Sequence, residues 1–290
     1  LGFCYPTHGF NAPPVVLKFL RKLPKASHRN DYFILNTRAG MKMGKFFIPG
    51  LSGSAYALPA LILKLKSYNS IGNLPLDLPS NWISLHPGIK PEVVVSMFER
   101  YRRVCDSFTN KIFKGEKSFN KVWQIPLDIL VIPISLAYFF YGRFILSKTF
   151  IATNDCNNCG QCERECPVNA ITNNGKYPFW TSKCESCMHC INNCPKRAIE
   201  TPHLFTALVW WIAFGLLPIP IIYLVNNYIN TNTGFDTICI KILSGLLSLL
   251  FIFLAYKTLN YLMKYKIVNS IVKATSFTHY KFWRRYKSPH

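Results

Sequence analysis

The sequence predicts a multidomain chain, with an α/β unit first, a small cysteine-rich α+β unit in the middle and two C-terminal transmembrane α-helices. Three observations carry this. Over about the first 122 residues, short apolar runs alternate with helical patterns, as in a parallel α/β sheet. Eight of the eleven cysteines fall in two tandem runs between Cys156 and Cys194. Leu204 to Val225 then gives twenty-two residues without a charge, long enough as a helix to cross a hydrocarbon core of about 30 Å.

Taken in order, Leu1 to Cys4 reads as a strand, and Pro13 to Leu23 as a helix whose two prolines sit where a first turn tolerates them. Tyr32 to Leu35 is a second strand, and another helix follows Gly53. Glu92 to Phe113 is a further helix, carrying Arg100, Arg102 and Arg103 on a solvated face. Gly50-Leu-Ser-Gly-Ser54 can present N–H groups to an anion, but it matches no nucleotide-binding motif and a plain N-cap is the simpler reading. Residues 1–122 therefore form one domain, and 123–148 an apolar connector. Pro126, Asp128, Pro133 and Arg143 interrupt the connector, which favours an interfacial or protein-packed helix over a third span.

The cysteine box covers 149–202, a helical hairpin 203–263 and a basic tail 264–290. Thr237 to Tyr256, broken only by Lys241, is the second span, and that lysine falls near a helix end where it can snorkel. Asn226 to Asp236 carries no Lys or Arg, whereas eight bases and no acid follow residue 256. The positive-inside rule places the tail in the cytoplasm, and a two-helix hairpin returns the cysteine box to the same face of the inner membrane.

The net charge of +21 would suit nucleic acid, an acidic partner or an anionic membrane, and its distribution decides among them. The cysteine box is balanced, with five charges of each sign. Lys281-Phe-Trp-Arg-Arg-Tyr-Lys287 directly follows the hairpin, so anionic lipid headgroups are its expected partners rather than nucleic acid. No Ser/His/Asp set or paired carboxylates occur in a motif context. Leu1 is not Met and no secretory signal is legible, so an upstream piece is expected.

The cysteines are spaced for metal. Cys156, Cys159, Cys162 and Cys166-Pro167 recur as Cys184, Cys187, Cys190 and Cys194-Pro195, an offset of twenty-eight that also matches Ala170-Ile171 to Ala198-Ile199. Structural zinc favours two cysteine pairs a dozen or more residues apart, and these triplets exceed its needs. In C-x2-C-x2-C one tight turn supplies three corners of a cubane, and the fourth ligand comes from elsewhere. Asn174-Gly175 signals a hairpin between the halves. The four alanine and isoleucine positions are expected to wall the clusters, and His189 to face solvent or tune a cluster. Cys4, Cys105 and Cys239 stand alone and read as small buried apolar residues.

The C-x2-C-x2-C-x3-C-P runs resemble the bacterial two-cluster ferredoxin domain. That resemblance implies an α+β ferredoxin-like 2x[4Fe-4S] fold, one-electron transfer and exchanged fourth ligands. One cluster would be held by Cys156, Cys159, Cys162 and Cys194, the other by Cys184, Cys187, Cys190 and Cys166.

Upstream, Phe3-Cys-Tyr-Pro-Thr-His-Gly-Phe10 and Leu35-Asn-Thr-Arg-Ala-Gly40 are strand ends running into turns, where α/β sheets bind ligands. With the cysteine box downstream, the order resembles flavodoxin-ferredoxin fusion proteins of bacteria and archaea, with a partial flavodoxin-like domain. The resemblance implies FMN between Pro6, Thr7, His8, Gly9 and Phe10 on one side and Thr37, Arg38, Ala39 and Gly40 on the other. The phosphate loop of flavodoxins is not present in this sequence, which leaves a flavin-free α/β unit as an equal reading. The expected function is membrane-anchored electron transfer between a redox donor and an acceptor protein. The alternatives are a subunit of a quinone-linked oxidoreductase, with a quinone reaching His203, and an iron-sulfur redox sensor or scaffold.

Overall fold

The computed structural model describes residues 1–28, 30–120, 122–173, 177–220, 223 and 234–287, with backbone alone for 234–239. The first region is a sheet of parallel strands β1 (Gly2–Pro6), β2 (Asn30–Met43), β4 (Tyr68–Pro79) and β5 (Ser118–Phe119), in that spatial order. A short β3 (Phe46–Ile48) pairs antiparallel with the far end of β2. Period-two alternation decides which residues face which layer. Tyr5, Tyr32 and Ile34 pack against Leu17 and Leu20 of α1 (Pro14–Lys22) and Leu63 of α2 (Ser54–Leu65). Phe33, Leu35, Leu74 and Leu76 meet Tyr101 and Phe108 of α3 (Pro91–Phe113) on the opposite side. Each such side chain, fully buried, contributes about 1.5–3 kcal/mol.

The expected strand at Tyr32 to Leu35 is thus the first part of a much longer one, Asn30–Met43. β4 was not expected, because Gly72, Pro75 and Pro79 are poor strand formers. Its Leu74, Leu76 and Leu78 nonetheless alternate. Cys4 is exposed and Cys105 half-buried, against the expectation of buried apolar residues, while the Cys239 side chain lies outside the described residues. Strand order never reverses among the described strands, so the crevice that such a reversal creates is not among them.

The connector is broken rather than continuous. Its two parts, Val122–Leu130 and Ile132–Lys148, meet at 60°. They contain α4 (Ile125–Leu130), α5 (Ile132–Ala137), a π turn at Tyr138–Gly142 and α6 (Arg143–Lys148). One side docks on the sheet. The Asp128 carboxylate accepts the N–H groups of Ser52 (2.7 Å) and Gly53 (2.9 Å), so the anion held by the Gly50–Ser54 loop is internal. Ser135 donates to the Phe10 carbonyl at 3.0 Å. The other side leaves Trp123, Ile125, Ile129, Leu130, Ile134 and Phe140 exposed.

The cysteine box holds two small antiparallel ladders. In the first, β6 (Ile151–Ala152) pairs with β9 (Ile199–Glu200); in the second, β7 (Ile171–Asn173) pairs with β8 (Pro178–Trp180). The expected Asn174-Gly175 turn lies outside the described residues. Helix α9 (His203–Trp211), a π turn to Leu216 and α10 (Gly234–Leu262) follow. Within them, His203–Pro220 and Ile240–Leu262 are long and apolar enough to cross a membrane. Val209 and Ala213 pack on Ile252, Tyr256 and Leu259.

Helix α11 (Lys266–Ala274) returns to the cysteine box, where Asn269 accepts the Asn154 N–H at 2.9 Å and Lys273 pairs with Asp155 at 2.7 Å. The basic tail was expected to lie on headgroups, and much of it instead lies on protein. Trp283 donates to the Ile83 carbonyl (2.5 Å) and Arg284 to that of Gly88 (3.0 Å). Arg285 is buried, with 4 % of its side chain exposed; it donates to Ile191 and Ile199 carbonyls and pairs with Glu200 at 3.0 Å. Residues 283–286 therefore strap the α/β region to the cysteine box.

Candidate metal centre and adjoining cavity

The internal repeat becomes a backbone repeat. Among the described residues of the box, left-handed φ occurs at Asn158, Gly160, Asn169, Ser186, Met188 and Arg197, three pairs at the same offset of twenty-eight. Only one is glycine, so five side chains accept a conformation that L-residues rarely adopt. Helix α7 (Gln161–Arg164) and helix α8 (His189–Asn193) begin at the same offset. Hydrogen bonds repeat as well: Thr153 N–H donates to Ala198 and Thr181 N–H to Ala170, both at 2.8 Å. The chain thus wraps each triplet in one way, twice.

The wrapping gathers the thiols. Cys156, Cys159, Cys162 and Cys194 line one cavity together with Cys190 of the other triplet, Pro195, Ala198 and Ile199. Cys166 stands beside Cys184 and Cys187, and Cys190 beside Cys184, Cys187 and Cys162. The two groups are therefore adjacent, and each contains a cysteine that precedes a proline in the other half. Backbone N–H groups point at these sulfurs, from Ala170 to Cys166 (3.2 Å), Ala198 to Cys194 (3.3 Å) and Ser186 to Cys184 (3.4 Å). The indole N–H of Trp180 reaches Cys190 Sγ at 3.4 Å. Ala170, Ile171, Ala198 and Ile199 are all buried, as expected of a dry wall.

Burial raises these thiols. Cys162 is pushed up to about 11 by burial and then by Cys156 and Cys194. Cys184 is pushed up to about 12 by burial, with Cys187 and Cys166 adding. Thiols that resist ionisation next to one another are held as thiolates only by a strong positive charge, which iron supplies. Among the described residues no three His, Cys, Asp or Glu side chains draw together tightly enough for a single metal ion.

His189 lies between two of these cysteines and is half-exposed. It faces Glu165 of the other half at 3.0 Å, and Asn193 contacts its ring. His203 does not face an open site. Its Nδ1 accepts the Phe277 N–H (3.1 Å), which leaves Nε2–H to donate to the Ser84 carbonyl (3.1 Å). Both ring nitrogens are used internally, so the expected quinone contact at His203 is not supported.

A second cavity, about 300 Å³, lies at the carboxyl ends of β1 and β4 and beside the middle of β2. Pro6, Thr7, His8, Gly9, Phe10, Thr37, Arg38 and Ala39 line it, but the turn expected at Thr37 to Gly40 is strand instead: β2 runs on to Met43 and pairs Arg38 with Asp77 and Gly40 with Pro79. Gly40 is not part of the lining and packs against Asp77. The Arg38 guanidinium is also committed elsewhere. It is buried against Asp77 (2.6 Å), Gln124 (2.5 Å) and Ser52 (3.2 Å), with Tyr101 donating to Asp77 at 2.6 Å. His8 is buried, its Nδ1 has no hydrogen-bond partner, and burial lowers its pKa to about 4.

Sequence reasoning missed the rest of the lining: Ser80, Asn81 and Trp82 after β4, and Tyr286 of the strap. The recoverable signal was the Leu74, Leu76 and Leu78 alternation, which makes Pro79 a strand end. Asn81 donates to the Cys187 carbonyl at 3.1 Å and accepts from Asn192 at 3.0 Å. A third cavity shares Pro6, His8, Asn81 and Tyr286 with the second and reaches Cys187. The strand-end cavity and the second cysteine group are thus separated by a few side chains.

Residues 149–199 match the family model of the 4Fe-4S dicluster domain. This segment is a ferredoxin-like iron-sulfur domain. Its match ends one residue before Glu200, the strap's anchor, and leaves the α/β region and the hairpin uncovered. No curated protein and no solved structure matches the chain. The ferredoxin-like domain supports an iron-sulfur electron-transfer role.

Proposed function

We propose that the chain is a membrane-anchored electron carrier whose ferredoxin-like domain holds two [4Fe-4S] clusters, with FMN in the strand-end cavity. The observation that carries the reading is the doubled backbone. Each half presents three thiols on one wrapped turn, and the proline-linked Cys166 and Cys194 stand with the thiols of the opposite half. One cluster takes Cys156, Cys159, Cys162 and Cys194, the other Cys184, Cys187, Cys190 and Cys166. Bound clusters supply single-electron transfer at low potential. The protein orients the thiolates, excludes water with Ala170, Ile171, Ala198 and Ile199, and tunes the sulfurs through N–H donors.

FMN is supported by the cavity that the loop after β1 and the middle of β2 line together. Thr7 and His8 would border its ring, and Asn81 and Tyr286 would lie between it and Cys187. Arg38 would hold the floor through Asp77 rather than touch phosphate. A flavin there would exchange electron pairs with a donor and single electrons with the clusters.

The two long apolar helices support membrane anchoring, with the soluble regions on the cytoplasmic side. Exposed Lys266 and Lys281 suit anionic headgroups. Anaerobic purification with iron, sulfide and flavin quantitation tests the whole reading. About eight irons and one flavin per chain are expected. Eight irons without flavin would remove the flavin and leave the carrier, and fewer than four would sink both.

A further inference from the structure

A cavity of about 490 Å³ opens between the ferredoxin-like domain and the second membrane-type helix. Its walls are Phe144 and Ile145 of α6, Phe179 of β8, and Leu249, Ile252 and Phe253 of α10. These are almost wholly apolar. The cavity's polar lining comes from Lys148 and Ser182 on the domain side and from Tyr256, Lys257 and Asn260 on α10, in the part of the helix beyond Phe253. Leu249 to Asn260 covers about 16 Å of helix, so this polar part of α10 lies toward the cytoplasmic end of the span and the apolar part toward mid-span.

The polar lining on the domain side is tied to the second cysteine group. Lys148 donates to the Trp180 carbonyl at 3.0 Å and lies over the Phe179 ring. Trp180 in turn donates its indole N–H to Cys190 Sγ. One residue thus separates the cavity wall from a candidate cluster ligand.

We propose that this cavity binds a membrane quinone, with its ring at Phe179 and Lys257, its carbonyls accepting from Lys257 or Asn260, and its isoprenoid tail along Leu249 and Phe253. The chemistry balances for a two-electron carrier. Two reduced clusters each give one electron, two protons enter from solvent, and the quinone becomes hydroquinone while both clusters return to the oxidised form. A phospholipid would share the apolar wall and the lysines. It would have no use for the aromatic ring or for the connection to Cys190, and those two features favour the quinone.

The inference rests on the electron-carrier reading, and the test separates the two. The full chain, in phosphatidylcholine vesicles, is reduced with dithionite and mixed with a naphthoquinone bearing a ten-carbon tail, while cluster absorbance is followed. Reoxidation that saturates with quinone is expected. Lys257→Gln and Leu249→Trp should each weaken the apparent quinone affinity about tenfold, with iron content and dithionite reduction unchanged. A photoreactive quinone should label residues 249–260 whether or not iron is present, and excess phospholipid should not compete.

Clusters that reduce but are not reoxidised by quinone would overturn the inference and leave the carrier intact. So would equal affinity in both variants, or labelling displaced by phospholipid. A chain without iron would sink the carrier reading, while labelling would still report on the cavity.

Discussion

The two halves of the ferredoxin-like domain share one backbone and differ in what surrounds them. Around Cys156 to Cys166 the surface is open: Cys159 is exposed, and Gln161 and Glu165 bond only to each other and to His189. Around Cys184 to Cys194 the surface is covered. Cys184 is buried, Asn81 reaches Cys187, the strap holds Ile191 and Asn192, and α6 supplies a carbonyl to Ser186. A duplicated motif therefore has one end free to meet a soluble partner and one end built into the molecule. The repeat sets the centres, and the asymmetry of their contacts sets what each can exchange with.

The sharpest way to break that comparison is to delete ligands crosswise. Cys194→Ser should remove the same cluster signal as Cys156→Ser, and Cys166→Ser the same one as Cys184→Ser, with iron falling from about eight to about four in each. Electron paramagnetic resonance of the reduced variants reads this directly. If Cys194→Ser instead matched Cys184→Ser, ligand exchange would be wrong.

Next in size is the cover on the second half. Arg285→Met strands Glu200 in a nearly dry site and should cost about 3–5 kcal/mol, seen as a lower thermal midpoint and proteolysis of the strap. Adding Glu200→Gln should recover much of it. The pH dependence has a definite sign. Burial, opposed by Arg285, pushes Glu200 up to about 7, so the folded state holds its proton longer than the unfolded one. This group's contribution to stability is present below about pH 4.5 and is lost as pH rises through 7. The Arg285→Met deficit should therefore shrink in acid. A deficit constant from pH 5 to 8 would mean that Glu200 is not the stranded charge.

A smaller effect should appear at Trp180. Trp180→Phe removes an N–H donor from Cys190 and should lower one cluster potential by roughly tens of millivolts, leaving the other unmoved. Redox titration resolves the two. The smallest effect belongs to the open half: Glu165→Gln breaks an exposed contact with His189 and should change stability by less than about 1 kcal/mol. A large loss there would erase the distinction between the halves.

The same contrast explains what could be read from residue order. Cysteine spacing is local, and each wrapped triplet is specified within about ten residues, so the repeat was legible down to the buried alanine and isoleucine walls. The loop after β1 was legible for a similar reason, whereas the turn read at Thr37 to Gly40 was not there, because Gly40 packs against Asp77 inside β2 instead of ending the strand. The partners of the β1 loop were not legible. Trp82, Tyr286 and Asn81 reach the cavity only through folding of distant segments, and β4 hides behind its glycine and prolines. In the tail, composition cannot distinguish an arginine in water from one that, like Arg285, satisfies buried carbonyls and a carboxylate. Asp128 looked like an interruption in an apolar run, and it caps the Ser52 and Gly53 amides.

The strap also imposes an order of events during biosynthesis. Domains generally fold as their segments leave the ribosome, yet residues 283–286 emerge only after both long apolar helices have been made. Until then Ile191, Asn192 and Glu200 lack their cover, and the second half stays accessible. Cluster insertion by a maturation factor would have this interval in which to act, and the strap's arrival would close it.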